Sequence, residues 1–126
     1  MTFRILHVDD DSVFRDFVQA VFAHEEKYQV VSRKHVRDAL ASIEDVAPNL
    51  VITDIMMPDK GGLEFVHELR QMAAFEQIPV FLLSARSRDL EKYASLGENA
   101  AVILSKPIEP DVLRSKVKSQ LEQMPR

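Results

Sequence analysis

Leu50-Val51-Ile52-Thr53-Asp54-Ile55-Met56-Met57-Pro58 is a run in which strand-forming residues lead straight into a single acid, with a proline four positions beyond it. The first four residues show no apolar–polar alternation, so the strand they form is covered on both faces, as strands of a parallel sheet are. Ending that strand on Asp54 puts a carboxylate at the carboxyl edge of the sheet, where loops converge.

Working outward, four more strand-sized runs stand at 3–8, 29–33, 80–84 and 101–104. Stretches of helical period separate them. Phe14, Phe17, Val18, Val21 and Phe22 recur on one face, as do Val36, Leu40 and Ile43, then Leu63, Val66 and Leu69, and finally Leu113, Val117 and Leu121. Asp11 or Ser12 suits the cap of the first helix, and Pro110 suits the start of the last, because a first turn leaves its amide hydrogens unpaired. The segment 88–96 carries only a thin stripe, Leu90, Tyr93 and Leu96, which suits a mobile helix or a contact surface. Gly61 and Gly62 read as a left-handed turn before a helix. The alternation is that of repeated βα units, hence an α/β fold around a parallel sheet.

With 126 residues, 46% of them hydrophobic, the chain suits one domain over 1–126, ordered from about 3 to 123. The absence of cysteine excludes a disulfide scaffold and thiolate metal sites. No apolar run approaches the ~20 residues of a membrane span, and no signal peptide precedes the first strand, so a cytoplasmic protein is expected. A net charge of −4 disfavours direct nucleic acid binding. There is no glycine-rich dinucleotide fingerprint and no Walker lysine motif.

The carboxyl edge is heavily loaded. Asp9, Asp10 and Asp11 follow the first strand, Asp54 ends the third, Ser84 the fourth, and Lys106-Pro107 follows the fifth. Each has an ordinary explanation alone: an acidic turn that caps a helix, a strand end, a hydroxyl bonded to local backbone, a loop dipeptide. Acids, acid, hydroxyl and lysine at four strand ends in that order are not ordinary together. Two carboxylates ~5 Å apart repel by roughly 3 kcal/mol at an effective dielectric near 20. A hard divalent cation offsets this, and an all-oxygen site with room for water suits Mg²⁺. A carboxylate beside such an ion and a lysine is placed to attack phosphorus, with Ser84 donating to a phosphoryl oxygen.

These segments resemble the receiver family of two-component response regulators over essentially the whole chain. The matching residues are Ile5-Leu6-His7-Val8-Asp9-Asp10-Asp11, the run from Leu50 to Pro58, Gly61-Gly62-Leu63, Ile78-Pro79-Val80, Leu83-Ser84-Ala85 and Ser105-Lys106-Pro107. The resemblance implies a doubly wound, flavodoxin-like three-layer sandwich with five parallel strands in order 2-1-3-4-5, two helices on one face and three on the other. It implies Asp54 as phosphoacceptor, Asp9, Asp10, Asp54 and the backbone carbonyl of Met56 as Mg²⁺ ligands, Ser84 as switch hydroxyl, Lys106 as its charged companion, and a cis bond before Pro107. The implied donor is a phosphohistidine on a sensor histidine kinase or histidine phosphotransfer protein. Such a domain is no enzyme in the usual sense, although it catalyses its own phosphorylation and dephosphorylation. A downstream protein would be met through the face between Arg86 and Ile103, and dimerisation through the fourth helix, fifth strand and fifth helix is a habit of the family.

Some positions depart from the pattern. Ile103 stands where the family often has an aromatic switch residue, and 97–101 fits the usual glycine turn only after a shift of about two residues. Met56 and Arg86 occupy the positions that tune phosphoryl lifetime, and Met56 has no polar group to orient an attacking water, so slow hydrolysis is expected. A haloacid-dehalogenase-type phosphohydrolase would need a second aspartate where Met56 stands. The remaining alternative is a receiver-fold interaction module that is not phosphorylated in normal use. His24, His35 and His67 read as solvated, and His7, inside a buried strand, as a hydrogen-bonded core histidine.

Overall fold

Strands and helices alternate along the chain in a computed structural model described at residues 2–57, 60–85 and 101–122. The order is β1 (Phe3–Val8), α1 (Ser12–Val21), β2 (Tyr28–Arg33), α2 (Val36–Val46), β3 (Leu50–Asp54), α3 (Gly62–Arg70), a short 3-10 turn (Ala73–Phe75), β4 (Val80–Ser84), β5 (Ala101–Ser105) and α4 (Pro110–Glu122). All strand pairs are parallel, in the order β2-β1-β3-β4-β5. The candidate helix 88–96 and the turn at 97–100 lie outside the described residues.

Alternate residues of each strand feed opposite layers. Ile5, Ile52 and Phe81 pack under Val18 of α1 and Leu113 and Val117 of α4. Leu6, Val51 and Leu82 pack under Ile43 of α2 and Phe65 and Leu69 of α3. All of these are at most 2% exposed, and each such side chain contributes about 1.5–3 kcal/mol of burial. This two-sided burial is why β3 and β4 show no polar alternation. The four described helices cover the faces two and two.

Three strands are one residue longer than their apolar runs. Tyr28 opens β2 because it pairs with Phe3 and its ring stacks on that ring at 5.6 Å. Asp54 belongs to β3 through its pairing with Leu83, and Ser105 belongs to β5 opposite Ser84. Asp11 caps α1, its carboxylate accepting from Val13 N–H at 2.9 Å. The Lys106–Pro107 bond is cis, as expected.

The left-handed turn expected at Gly61 and Gly62 is not there. Neither glycine has positive φ, and the left-handed residue among those described is Ala47, at the end of α2 with φ 48°. The glycines serve close approach instead. A Cβ on Gly62 would stand 2.3 Å from the Asp54 carbonyl oxygen, so α3 starts directly against the end of β3.

Candidate functional site

The order of the strands brings the chemistry together. β1 lies between β2 and β3, so the chain leaves β1 in one direction and β3 in the other, and a crevice opens between their carboxyl ends. Asp9 stands at one lip of this switch point and Asp54 at the other, while β4 and β5 bring Ser84 and Lys106 alongside.

Asp9 is fully buried and fully engaged. One carboxylate oxygen accepts from Asp11 N–H at 2.9 Å, the other from Lys106 Nζ at 2.8 Å. The Arg15 guanidinium donates to the Asp9 carbonyl at 2.7 Å. The same Lys106 amine reaches Asp54 Oδ2 at 3.4 Å and lies 4.2 Å from the centre of the Phe14 ring. Asp9 therefore holds the larger share of the lysine.

That unequal share appears in the proton affinities. Burial raises the Asp54 pKa above the usual carboxylate range, with the Asp9 charge adding to it; Lys106 and the Met56 N–H oppose this without cancelling it. For Lys106, burial acts to lower the pKa, but the Asp9 hydrogen bond and the charges of Asp54 and Asp9 outweigh it, so the amine stays protonated. A single ammonium thus serves two carboxylates and leaves Asp54 under-compensated.

Asp10 completes an acidic cluster. Carboxylate oxygens of Asp9, Asp10 and Asp54 all lie within 4.8 Å of one another. Three hard oxygen donors, two of them half-buried, fit a hard cation better than a soft or imidazole-seeking one.

Other expected residues take definite places. Ser84 is buried at the end of β4, its carbonyl accepting from Lys106 N–H at 2.7 Å. Met56 sends its N–H to the Asp54 carboxylate, and its side chain is 58% exposed. Ile103 packs on the α2 and α3 layer. Arg86, and the 86–100 part of the expected partner face, lie outside the described residues. His24 and His67 are exposed and His35 is half-buried.

His7 departs from its expectation. It is wholly buried, but neither ring nitrogen has a hydrogen-bond partner among the described residues. Burial, with Lys106 and Arg15 adding, pushes its pKa down to about 3, so the ring is neutral at pH 7. The 3.9 Å approach of Nε2 to Asp9 Oδ2 is therefore not an ion pair. Phe14 and Arg15 also border the site, where the sequence shows only an apolar helix position and a surface cation.

Residues 5–118 match the family model described as the response regulator receiver domain. The response regulator Rre1 of a Synechocystis species is 33% identical over 93% of this chain and 51% of its own length. The regulatory protein VanRc of Enterococcus gallinarum is 32% identical over the whole chain and 53% of its own. The chain thus spans about half the length of these curated relatives. A putative response regulator from Chloroflexus aurantiacus superposes with a TM-score of 0.87 at 27% identity, covering 98% of this chain and 100% of that one. The receiver domain of a histidine kinase from Syntrophus aciditrophicus gives 0.85 at 28%, covering 99% and 94%.

Proposed function

The chain belongs to the response regulator receiver domain family, and on that premise we propose that it takes a phosphoryl group onto Asp54 from a phosphohistidine and signals through the resulting change of shape. The observation that carries this reading is the Lys106 amine at 2.8 Å from Asp9 and 3.4 Å from Asp54, beside a third carboxylate. Such an arrangement gives one carboxylate a nucleophile's place and supplies positive charge next to it.

In the transfer, an Asp54 carboxylate oxygen forms the new P–O bond as the P–N bond to the donor imidazole breaks, the imidazole nitrogen keeping the electron pair. Lys106, already poised between the two acids, turns toward the phosphoryl oxygens as their charge develops. Ser84 donates its hydroxyl to one of them. Mg²⁺ held by Asp9, Asp10, Asp54 and the Met56 carbonyl would neutralise phosphoryl charge when bound. The acyl phosphate adds about two negative charges, which bias two pre-existing conformations and reach a partner across 86–103, with Ile103 in place of a larger switch residue. The exposed Met56 side chain has no group to hold an attacking water, so at the two positions that tune lifetime, Met56 and Arg86, it is Met56 that favours a long-lived phosphoryl group.

The same reading makes residues 1–126 one receiver domain of a cytoplasmic signalling protein, supplied by a sensor histidine kinase or a histidine phosphotransfer protein. The domain itself acts through protein contacts, with a downstream partner or a second copy of itself, and does not bind nucleic acid directly. Among the described residues no helix is long and apolar enough to cross a membrane.

Intact mass after incubation with acetyl phosphate tests the chemistry. A gain of one phosphoryl group that requires Mg²⁺ and is absent from Asp54→Asn supports the reading. Mg²⁺ binding without any gain would refute it and leave an interaction module that is not phosphorylated.

A further inference from the structure

We propose that His7 is a positioning residue for Asp9, taking over its Oδ2 oxygen when Lys106 turns to the phosphoryl group. The inference rests on the phosphoacceptor reading of Asp54. Asp9 is 0% exposed, and Lys106 at 2.8 Å is the only cation hydrogen-bonded to its carboxylate among the described residues. Because the same amine reaches Asp54 at 3.4 Å, any move onto a group held by Asp54 takes it away from Asp9. A cation at the acidic cluster would meet part of the Asp9 charge, but the Oδ2 oxygen that Lys106 vacates still loses its hydrogen-bond donor, and a buried carboxylate oxygen is stabilised by a replacement.

His7 stands where that donor is needed. It lies two residues before Asp9, whose N–H to Arg33 O carries the extended pairing one residue past β1, and its Nε2 is 3.9 Å from the same Oδ2 oxygen. Closing to an ordinary N–H···O distance takes about 1 Å. Neither nitrogen of this wholly buried ring is committed to any described residue, which is uncommon for a buried polar group. The backbone of β1 is held by ladders to β2 and β3, through Ser32 and Ile52 at His7 itself, so the movement belongs to the side chain. Phe14 packs against both exchanging groups: its ring meets the imidazole at 5.7 Å in an edge arrangement, and Lys106 lies 4.2 Å from its centre. In the resting site the lysine holds Asp9 and the imidazole waits; in the loaded site the imidazole N–H holds Asp9 and the lysine is released.

Imidazole ¹H–¹⁵N NMR of the unsubstituted protein, apo, with Mg²⁺, and with Mg²⁺ plus beryllium fluoride as a stand-in for the phosphoryl group, reads the exchange directly. The expected result is an Nε2–H tautomer whose proton moves downfield and exchanges slowly with water only in the fluoride-loaded state. A bare Nε2, or Nε2–H signals that stay put while the Asp54 amide shifts, would overturn the proposal and leave the phosphoacceptor reading intact. No mass gain with acetyl phosphate and no shift at Asp54 would instead sink that reading and the proposal with it. His7→Phe should slow phosphoryl uptake about tenfold, the effect of one hydrogen bond to a charged group, with His7→Gln recovering most of the rate through its amide N–H. Equal rates for all three proteins would also overturn it, and should His7→Phe fail to fold, the NMR comparison decides.

Discussion

Replacing Gly62 by alanine sets two effects of opposite sign against each other. Gly62 is the first residue of α3, and in a helix Gly→Ala ordinarily stabilises by about 0.5–1 kcal/mol. Here the new Cβ would stand 2.3 Å from the Asp54 carbonyl oxygen, about 1 Å short of ordinary contact at 3.4 Å, and 3.1 Å from both the Asp54 carbonyl carbon and Ile55 Cα. These are backbone atoms at the end of a central strand, so no side chain can swing aside. Overpacking of this kind costs about 1–3 kcal/mol, and a clash with fixed backbone belongs at the upper end. We therefore expect a net loss of about 2 kcal/mol, or about 5–10 °C in Tm for a domain of this size. Because relief of the clash must move Asp54 itself, phosphoryl uptake should fall about tenfold to a hundredfold in the fraction that remains folded. Gly61→Ala, whose Cβ would meet Ile55 O at 2.9 Å, should be milder on both counts. Urea unfolding and the time course of mass gain measure the two effects separately. A Gly62→Ala protein with a raised unfolding midpoint and unchanged uptake would show that helix propensity wins and that the close approach is not what glycine serves here.

Lys106→Met should destabilise the metal-free protein by about 3 kcal/mol, because it strips the partner from the buried Asp9 carboxylate, and Mg²⁺ should recover much of the loss; unfolding midpoints that match the parent without metal would refute this. Ala47→Gly should raise the Tm by a few degrees, since alanine at φ 48° carries about 1 kcal/mol of strain that glycine lacks; an unchanged or lower Tm counts against it. The Tyr28 hydroxyl and the Lys27 amine both bond to Glu122 and hold its pKa below the usual 4.5, so this carboxylate contributes stability above that value and loses it as pH falls through the folded pKa. Glu122→Gln should accordingly be less stable than the parent at pH 7, with the gap closing as pH falls below 4.5 and through the folded pKa in urea titrations at stepped pH.

The core was legible because strand burial is written locally. Runs such as Leu50 to Thr53 and Val80 to Leu83 declare a strand covered on both faces, and the period of Val36, Leu40 and Ile43 declares a helix with one. The places of Asp9, Asp54, Ser84 and Lys106 followed, since each lies at or just beyond the end of such a run and parallel strands share one carboxyl edge. Boundaries slipped by a residue at Tyr28, Asp54 and Ser105, where pairing with a neighbouring strand extends the ladder past the apolar pattern. His7 was misjudged for a related reason: the sequence shows a polar ring inside a buried strand but not which donors and acceptors surround it.

The amino-acid sequence by itself thus determined the alternation of strands and helices, the edge on which the chemistry gathers and the residues that stand there. Only the tertiary structure decided that Lys106 sits closer to Asp9 than to Asp54, that His7 has no hydrogen-bonding neighbour among the described residues, and that Gly62 is needed for contact and not for a turn. Periodicity is a property of neighbours along the chain, whereas Lys106 and Asp9 are 97 residues apart. Their separation depends on how five strands twist and how the helices seat on them, and differences of a few tenths of an ångström there determine which carboxylate holds the lysine.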